Sequence, residues 1–175
     1  RALHVVVSRV RAAVGEDVVE RVGDGYRLAL PAADVDALDL SDRATRARAC
    51  AAEGQWDQVL DLTEQLPVPL VPERDDDAVG AEATPVTRLR QRAAVQAEAV
   101  RRDRALALEA TGEHEEAADL LREAAQRDAG DETVLAALMR AESWTRSPAA
   151  ALEIYEEHRC RLREQGAVPG PAMRA

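Results

Sequence analysis

Gly112-Glu113-His114-Glu115-Glu116-Ala117-Ala118-Asp119-Leu120-Leu121 reads as the opening of a helix, and thirty-four residues after Ala117 stands Ala151, in Pro148-Ala149-Ala150-Ala151-Leu152-Glu153-Ile154-Tyr155. The two stretches share one pattern: a small residue at the same step, with Leu121 or Tyr155 four residues later. Helix axes approach closely only where the side chain between them is small, so Ala117 and Ala151 mark helix crossings, and Leu121 and Tyr155 fill the space beyond. Further upstream, Gly54-Gln55-Trp56-Asp57-Gln58-Val59 places Val59 58 residues before Ala117, one more period plus an insertion of 24. Three helix pairs on one template follow from this spacing.

Thirty-four residues is the period of tetratricopeptide repeats. The match is partial, because Arg146 stands where the inter-helix glycine belongs and Ala129 where a proline is usual. In the first pair, Ser41 is the expected N-cap, and Leu40, Ala44, Ala47 and Ala51 run down one face to Gly54; a second helix buries Val59, Leu62 and Leu66. The insertion, 67–85, carries Pro67, Pro69, Pro72, Pro85, Gly80 and Asp75-Asp76-Asp77, and is expected to be a loop with a solvated acidic run. From Val86 to Thr111 nothing breaks a helix, and Leu89, Ala93, Ala97, Val100 and Leu108 supply its apolar stripe. Trp56, Trp144 and Tyr155 recur at helix-pair contacts and read as core.

The start of the chain differs. Leu3, Val7, Val10 and Val14 line one helical face, with Arg1, His4, Ser8 and Arg11 elsewhere on the circumference and exposed. Gly15 stops that helix. Val18 to Val22 is rich in strand formers, Gly23-Asp24-Gly25 signals a tight turn, and Tyr26, Leu28 and Leu30 alternate with Arg27 and Ala29. A helix followed by a two-stranded hairpin is expected. The chain opens inside a helical pattern, so residues upstream are expected as well. Pro31 and the Ala-Ala-Asp after it read as a linker, with Asp34, Asp36 and Asp39 as turn or cap residues.

At 175 residues, two domains are expected: 1–30 and 31–175. The formal charge of −10 argues against nucleic acid for the chain as a whole. Residues 1–30, however, carry five Arg against four acidic groups, leaving about −11 to the remainder. All 23 residues counted as Lys plus Arg are Arg and Phe is absent, a composition resembling the codon bias of a GC-rich bacterial genome. Cys50 and Cys160 lack the spacing of a disulfide framework or zinc site, and a reducing cytoplasm is the expected location. Neither a membrane span nor a signal segment is visible.

The opening residues carry a more specific likeness. Leu3 to Gly15, then Val18-Val19 and Gly25-Tyr26-Arg27-Leu28, resemble the recognition helix and wing of an OmpR-type winged helix. In its actinobacterial form this resembles the antibiotic-regulatory-protein (SARP) family, in which a bacterial transcriptional activator domain follows. The tail Gln165-Gly166-Ala167-Val168-Pro169-Gly170-Pro171-Ala172-Met173-Arg174 is similar to the ending of such domains, with Gln165 in place of a leucine. The mid-domain loop lacks the Trp-Arg-Gly element common in that family.

The resemblance implies a mainly α fold, a tetratricopeptide-like domain preceded by the recognition helix and β-hairpin wing, and a regulator that binds promoter repeats and recruits RNA polymerase. It puts Arg1, Val6, Ser8, Arg9 and Arg11 on or near the DNA side and Val22 near the wing tip. His4 on the helix and Arg21 in the wing complete the candidate DNA-binding set. Homodimerisation and further regulatory domains of the same chain are the other partners implied. With only the last helix and wing of a reader, weak DNA binding by this chain alone is expected.

Other chemistries lack residues to carry them. Without Lys there is no phosphate-loop lysine, and no glycine-rich loop appears. His4, His114 and His158 are scattered, and His158 and Cys160, two apart on a helix, point to different sides. No enzyme activity, cofactor or metal is expected. The rival reading is a protein-interaction scaffold whose helical array binds peptides, with the opening residues as a structural cap. Val6 and Val22, which can neither pair with phosphate nor read a base edge by hydrogen bonding, favour that rival.

Overall fold

A computed structural model describes residues 2–64 and 85–173 of the chain. Arg1, Leu66, Arg174 and all of the expected loop except Pro85 lie outside the described residues, Asp75-Asp76-Asp77 included. The chain divides into two compact units, residues 1–39 and 40–175.

In the first unit, α1 (Ala2–Val14) is followed by a short 3₁₀ turn and by strands β1 (Val19–Val22) and β2 (Gly25–Leu28). Gly15 ends α1 with φ +112, its N–H bonded to the Arg11 carbonyl at 2.8 Å. The strands pair antiparallel, Val19 opposite Leu28 and Val22 opposite Gly25, which leaves Gly23 and Asp24 as a two-residue turn. Gly23 has φ +58, the left-handed backbone such turns demand and glycine supplies without strain. The apolar face expected on α1 is covered at one position only. Val7 is buried, while Leu3, Val10 and Val14 are 59%, 38% and 55% exposed, because no other described element of this unit packs on that side.

The second unit is built from helices. α2 (Asp36–Ala52) begins just before it and α3 (Trp56–Thr63) completes the first pair; α4 (Pro85–Thr111) with α5 (His114–Arg127), and α6 (Glu132–Thr145) with α7 (Pro148–Glu164), form the second and third. A 3₁₀ turn at Pro171–Met173 ends the described chain. Two cross-links, Gln96 to Ser41 at 2.8 Å and Arg48 to Asp103 at 4.0 Å, each join residues 55 apart, so α2 and α4 run parallel. Arg102 with Asp131 and Glu109 with Arg140 align α4 and α6 in the same way. The first helices of successive pairs therefore lie side by side, in the manner of tetratricopeptide repeats. This is a mainly α fold: a hairpin, then a helical repeat domain.

The repeat is visible atom by atom. Val59 and Ala117 are fully buried and Ala151 nearly so. Thr111 and Thr145, thirty-four apart, each donate their hydroxyl to the carbonyl four residues earlier, Ala107 at 3.0 Å and Ala141 at 2.9 Å. Gly54 and Gly112 turn the first two pairs with φ +72 and +94. The third pair turns differently. Arg146 keeps φ −121, and Ser147 caps α7 by accepting from the Ala150 N–H at 3.2 Å, with Pro148 opening the helix. A capped start removes the need for a left-handed residue, so arginine replaces glycine without strain.

Four sequence expectations are corrected. Ser41 is not an N-cap, because α2 starts five residues earlier at Asp36; its hydroxyl instead accepts the Gln96 amide of α4. Leu89 is 48% exposed, since the packed stripe of α4 runs from Ala93 to Leu108. Trp144 is 76% exposed rather than core, its ring lying flat against His114 with centroids 5.6 Å apart at the outer edge of the third pair. Pro85, placed in the loop by its proline character, is the first residue of α4, where a missing N–H costs nothing.

Candidate nucleic-acid interface

Within the first unit, α1 and the hairpin are joined mainly by polar contacts. Val7 and Val19 are its only buried side chains among the described residues. Two valines make a small core, so other groups must fix how the strands meet the helix. Arg11 does so. Its Nε and Nη2 both donate to the Val19 carbonyl, at 3.0 and 2.6 Å, and its guanidinium lies 6.0 Å from the centre of the Tyr26 ring. The Tyr26 hydroxyl is 2.5 Å from His4 Nδ1, and the two rings meet edge to face at 5.9 Å. The joint thus connects Val19 of β1 and Tyr26 of β2 to one face of α1.

Sequence reasoning left Tyr26 and the Val19 carbonyl out of the site. The Gly-Tyr-Arg-Leu stretch was the available signal for Tyr26; a backbone carbonyl leaves none.

The candidate DNA-binding residues separate accordingly. Ser8 and Arg9 are exposed, and neither side chain has a hydrogen-bond or ion-pair partner among the described residues. Arg11 is half-buried and His4 is exposed, but both are engaged with the hairpin. Arg21 is exposed and leans back on its own turn, its Nε 3.3 Å from the Gly23 carbonyl. Arg27 pairs with Glu20 directly across the strands. Val6 and Val22 are 55% and 50% exposed, so the hairpin tip presents an apolar side chain. Arg1 lies outside the described residues.

The second unit carries ionic links of another kind. Asp131 caps α6, accepting from Thr133 N–H and Val134 N–H at 3.1 and 3.2 Å, and also takes the Arg102 guanidinium at 2.6 Å. Burial alone would raise its pKa; the Arg102 bond and the two backbone donors outweigh that and hold it below the ordinary aspartate value. Arg102 is raised in turn, first by that same bond. Asp103, 4% exposed, shifts the other way: burial pushes it up, and Arg102 and Arg48 only partly offset this.

Glu109 of α4, 7% exposed, receives Arg140 of α6 through two bonds at 2.8 and 2.7 Å. Glu142, 2% exposed, is met by Arg122 of α5 at 2.6 Å and by Arg146 at 3.2 Å. Each buried carboxylate answers a guanidinium from a neighbouring helix or turn, as burial of charge requires.

Residues 34–175 match the family described as bacterial transcriptional activator domain. The chain belongs to the bacterial transcriptional activator domain family. Comparison with curated proteins finds no match.

In the activator domain, the tail that resembled the family's ending has a physical role. Gly170 N–H donates to Glu132 Oε1 at 2.8 Å, the same oxygen lies 3.2 Å from the buried His158 Nε2, and Met173 packs with Leu135 and Ala136. The proline-glycine tail therefore closes the end of the third pair. Among the described residues, no helix of the chain is long and apolar enough to cross a membrane.

Proposed function

We propose that this chain is a DNA-binding transcriptional regulator of the activator type, in which α1 and the hairpin are the recognition helix and wing of an OmpR-like, SARP-type reader. The observation that carries the reading is the exposure of Ser8 and Arg9 on a helix that runs straight into a hairpin, ahead of a bacterial transcriptional activator domain. A helix fits the major groove, and an arginine there bonds guanine through two donors or pairs with phosphate. Promoter DNA is the proposed ligand. The acidic helical domain offers its surface to RNA polymerase or to a second copy of the chain, and the protein works by recruitment rather than as an enzyme.

An electrophoretic assay tests this. The full chain carrying Arg9→Glu should lose the shifted band that the wild type gives on promoter DNA upstream of genes it activates. An unchanged band would remove Arg9 from the interface.

Two observations favour a protein-interaction scaffold instead: Val22 at the hairpin tip and the pairing of Arg27 with Glu20 leave the hairpin little to attract phosphate. That reading gives weak DNA affinity, a steep salt dependence and no sequence preference.

A further inference from the structure

We infer that Arg11 is a positioning residue of the DNA-facing unit: it sets the angle between α1 and the hairpin, and Arg9 is the arginine of this helix that meets DNA. The inference rests on the DNA-reading function proposed above. Arg11 and Arg9 are two residues apart, about 200° around a helix, so they face nearly opposite ways. The Arg11 side chain spends two donors on the Val19 carbonyl and lies against Tyr26, while its backbone carbonyl accepts the Gly15 N–H that terminates the helix. The Arg11 side chain therefore ties the last turn of α1 to the start of β1. Arg9 has no such engagement among the described residues.

Apolar packing cannot do this work in its place, with Val7 and Val19 the only buried side chains described there. The consequence is a matter of leverage. A strand of four residues spans roughly 13 Å, so a swing of about 10° at the Val19 joint moves the hairpin tip by roughly 2 Å. That exceeds half of the roughly 3.4 Å between successive base pairs. A loosened joint would leave Arg9 free to touch DNA while the hairpin misses its place on the adjoining backbone. Selectivity, more than charge-driven affinity, is what Arg11 supplies.

The experiment uses the full chain and a duplex of about 30 base pairs selected by the wild type from a random-sequence pool, with a random duplex of equal length as reference. Fluorescence anisotropy across a salt series gives the two affinities and the salt slope, and amide NMR of the hairpin reports whether it stays folded. Arg11→Lys keeps the charge and loses the fork; it should lower affinity for the selected duplex about tenfold and leave the random duplex unchanged. Arg11→Gln should leave the salt slope unchanged despite the lost charge, whereas Arg9→Gln should reduce it by about 0.9.

Wild-type behaviour of Arg11→Lys together with a slope reduced by about 0.9 in Arg11→Gln would make Arg11 a phosphate contact and overturn the inference. Equal losses on both duplexes with collapsed hairpin signals would make it a residue of the fold alone, and overturn it too. A wild type that selects no sequence would overturn the DNA-reading function itself and the inference with it, and that result appears before any variant is made.

Discussion

The amide of Gly170 donates to Oε1 of Glu132 at 2.8 Å, and a Cβ placed on residue 170 would lie 2.2 Å from the other oxygen of that carboxylate. A side chain on residue 170 would meet the Glu132 carboxylate, which would have to move. Gly170→Ala forces the Glu132 carboxylate aside, and with it the bonds to the tail amide and to His158. A loss of about 1–2 kcal/mol is expected in urea unfolding. Glu132→Gln, which keeps an acceptor oxygen, should cost less.

The Arg102–Asp131 link predicts a pH dependence of definite sign. Asp131 is held below its ordinary value in the folded chain, so its contribution is present above the unfolded aspartate pKa of about 3.9 and is lost as pH falls through the lower folded value. Asp131→Asn keeps a good N-cap but removes the charge. Its stability deficit relative to the wild type should be full at neutral pH and shrink in that acid window, as thermal midpoints across a pH series will show. Asp103 runs the other way. Its pKa is raised by burial, so its ionised form opposes folding near neutrality and the penalty lifts as pH falls through the raised value. Asp103→Asn should gain on the wild type at neutral pH and lose that advantage in acid.

Breaking the Glu109–Arg140 pair from one side leaves a carboxylate that is 7% exposed without its two donors. Arg140→Ala should cost on the order of 2–3 kcal/mol, below the range for a fully buried pair because the arginine itself is half in solvent. The double variant Glu109→Met, Arg140→Met should recover most of that loss. A double variant as unstable as the single one would show that the pair does more than satisfy its own burial.

At the helix crossings, Ala117→Leu inserts methylenes where no volume is free and should destabilise by about 1–3 kcal/mol, with Ala151→Leu costing less because that site is 9% exposed. Trp144→Ala should change stability by only about 0.5 kcal/mol, since the ring is mostly solvated and touches His114 on one face.

Much of this architecture was legible in the sequence because it rests on local rules. Helix stops at Gly15 and Gly54 follow from glycine's access to positive φ, and Ala117 with Ala151 follows from the spacing that packing demands. The hairpin was written in Gly23-Asp24-Gly25. What the sequence did not disclose depends on partners far along the chain. Ser41 has the chemistry of a cap, and only the arrival of α4 turns its hydroxyl toward Gln96. Trp144 has the composition of a core residue, but its ring is mostly in solvent with only His114 of the described residues stacked on it.

The same limit applied to the candidate interface. Arg9 and Arg11 look alike as sequence, and a carbonyl at Val19 distinguishes them. That carbonyl is invisible to any reading of side chains.

The most direct test of the central claim, that α1 and its hairpin read DNA, is selection by the wild-type chain from a pool of random duplexes at micromolar protein and physiological salt. A recurrent motif bound at least about tenfold more tightly than random duplex is predicted, a preference that Arg9→Glu abolishes. No enriched motif, or binding that varies with salt but not with sequence, would contradict it.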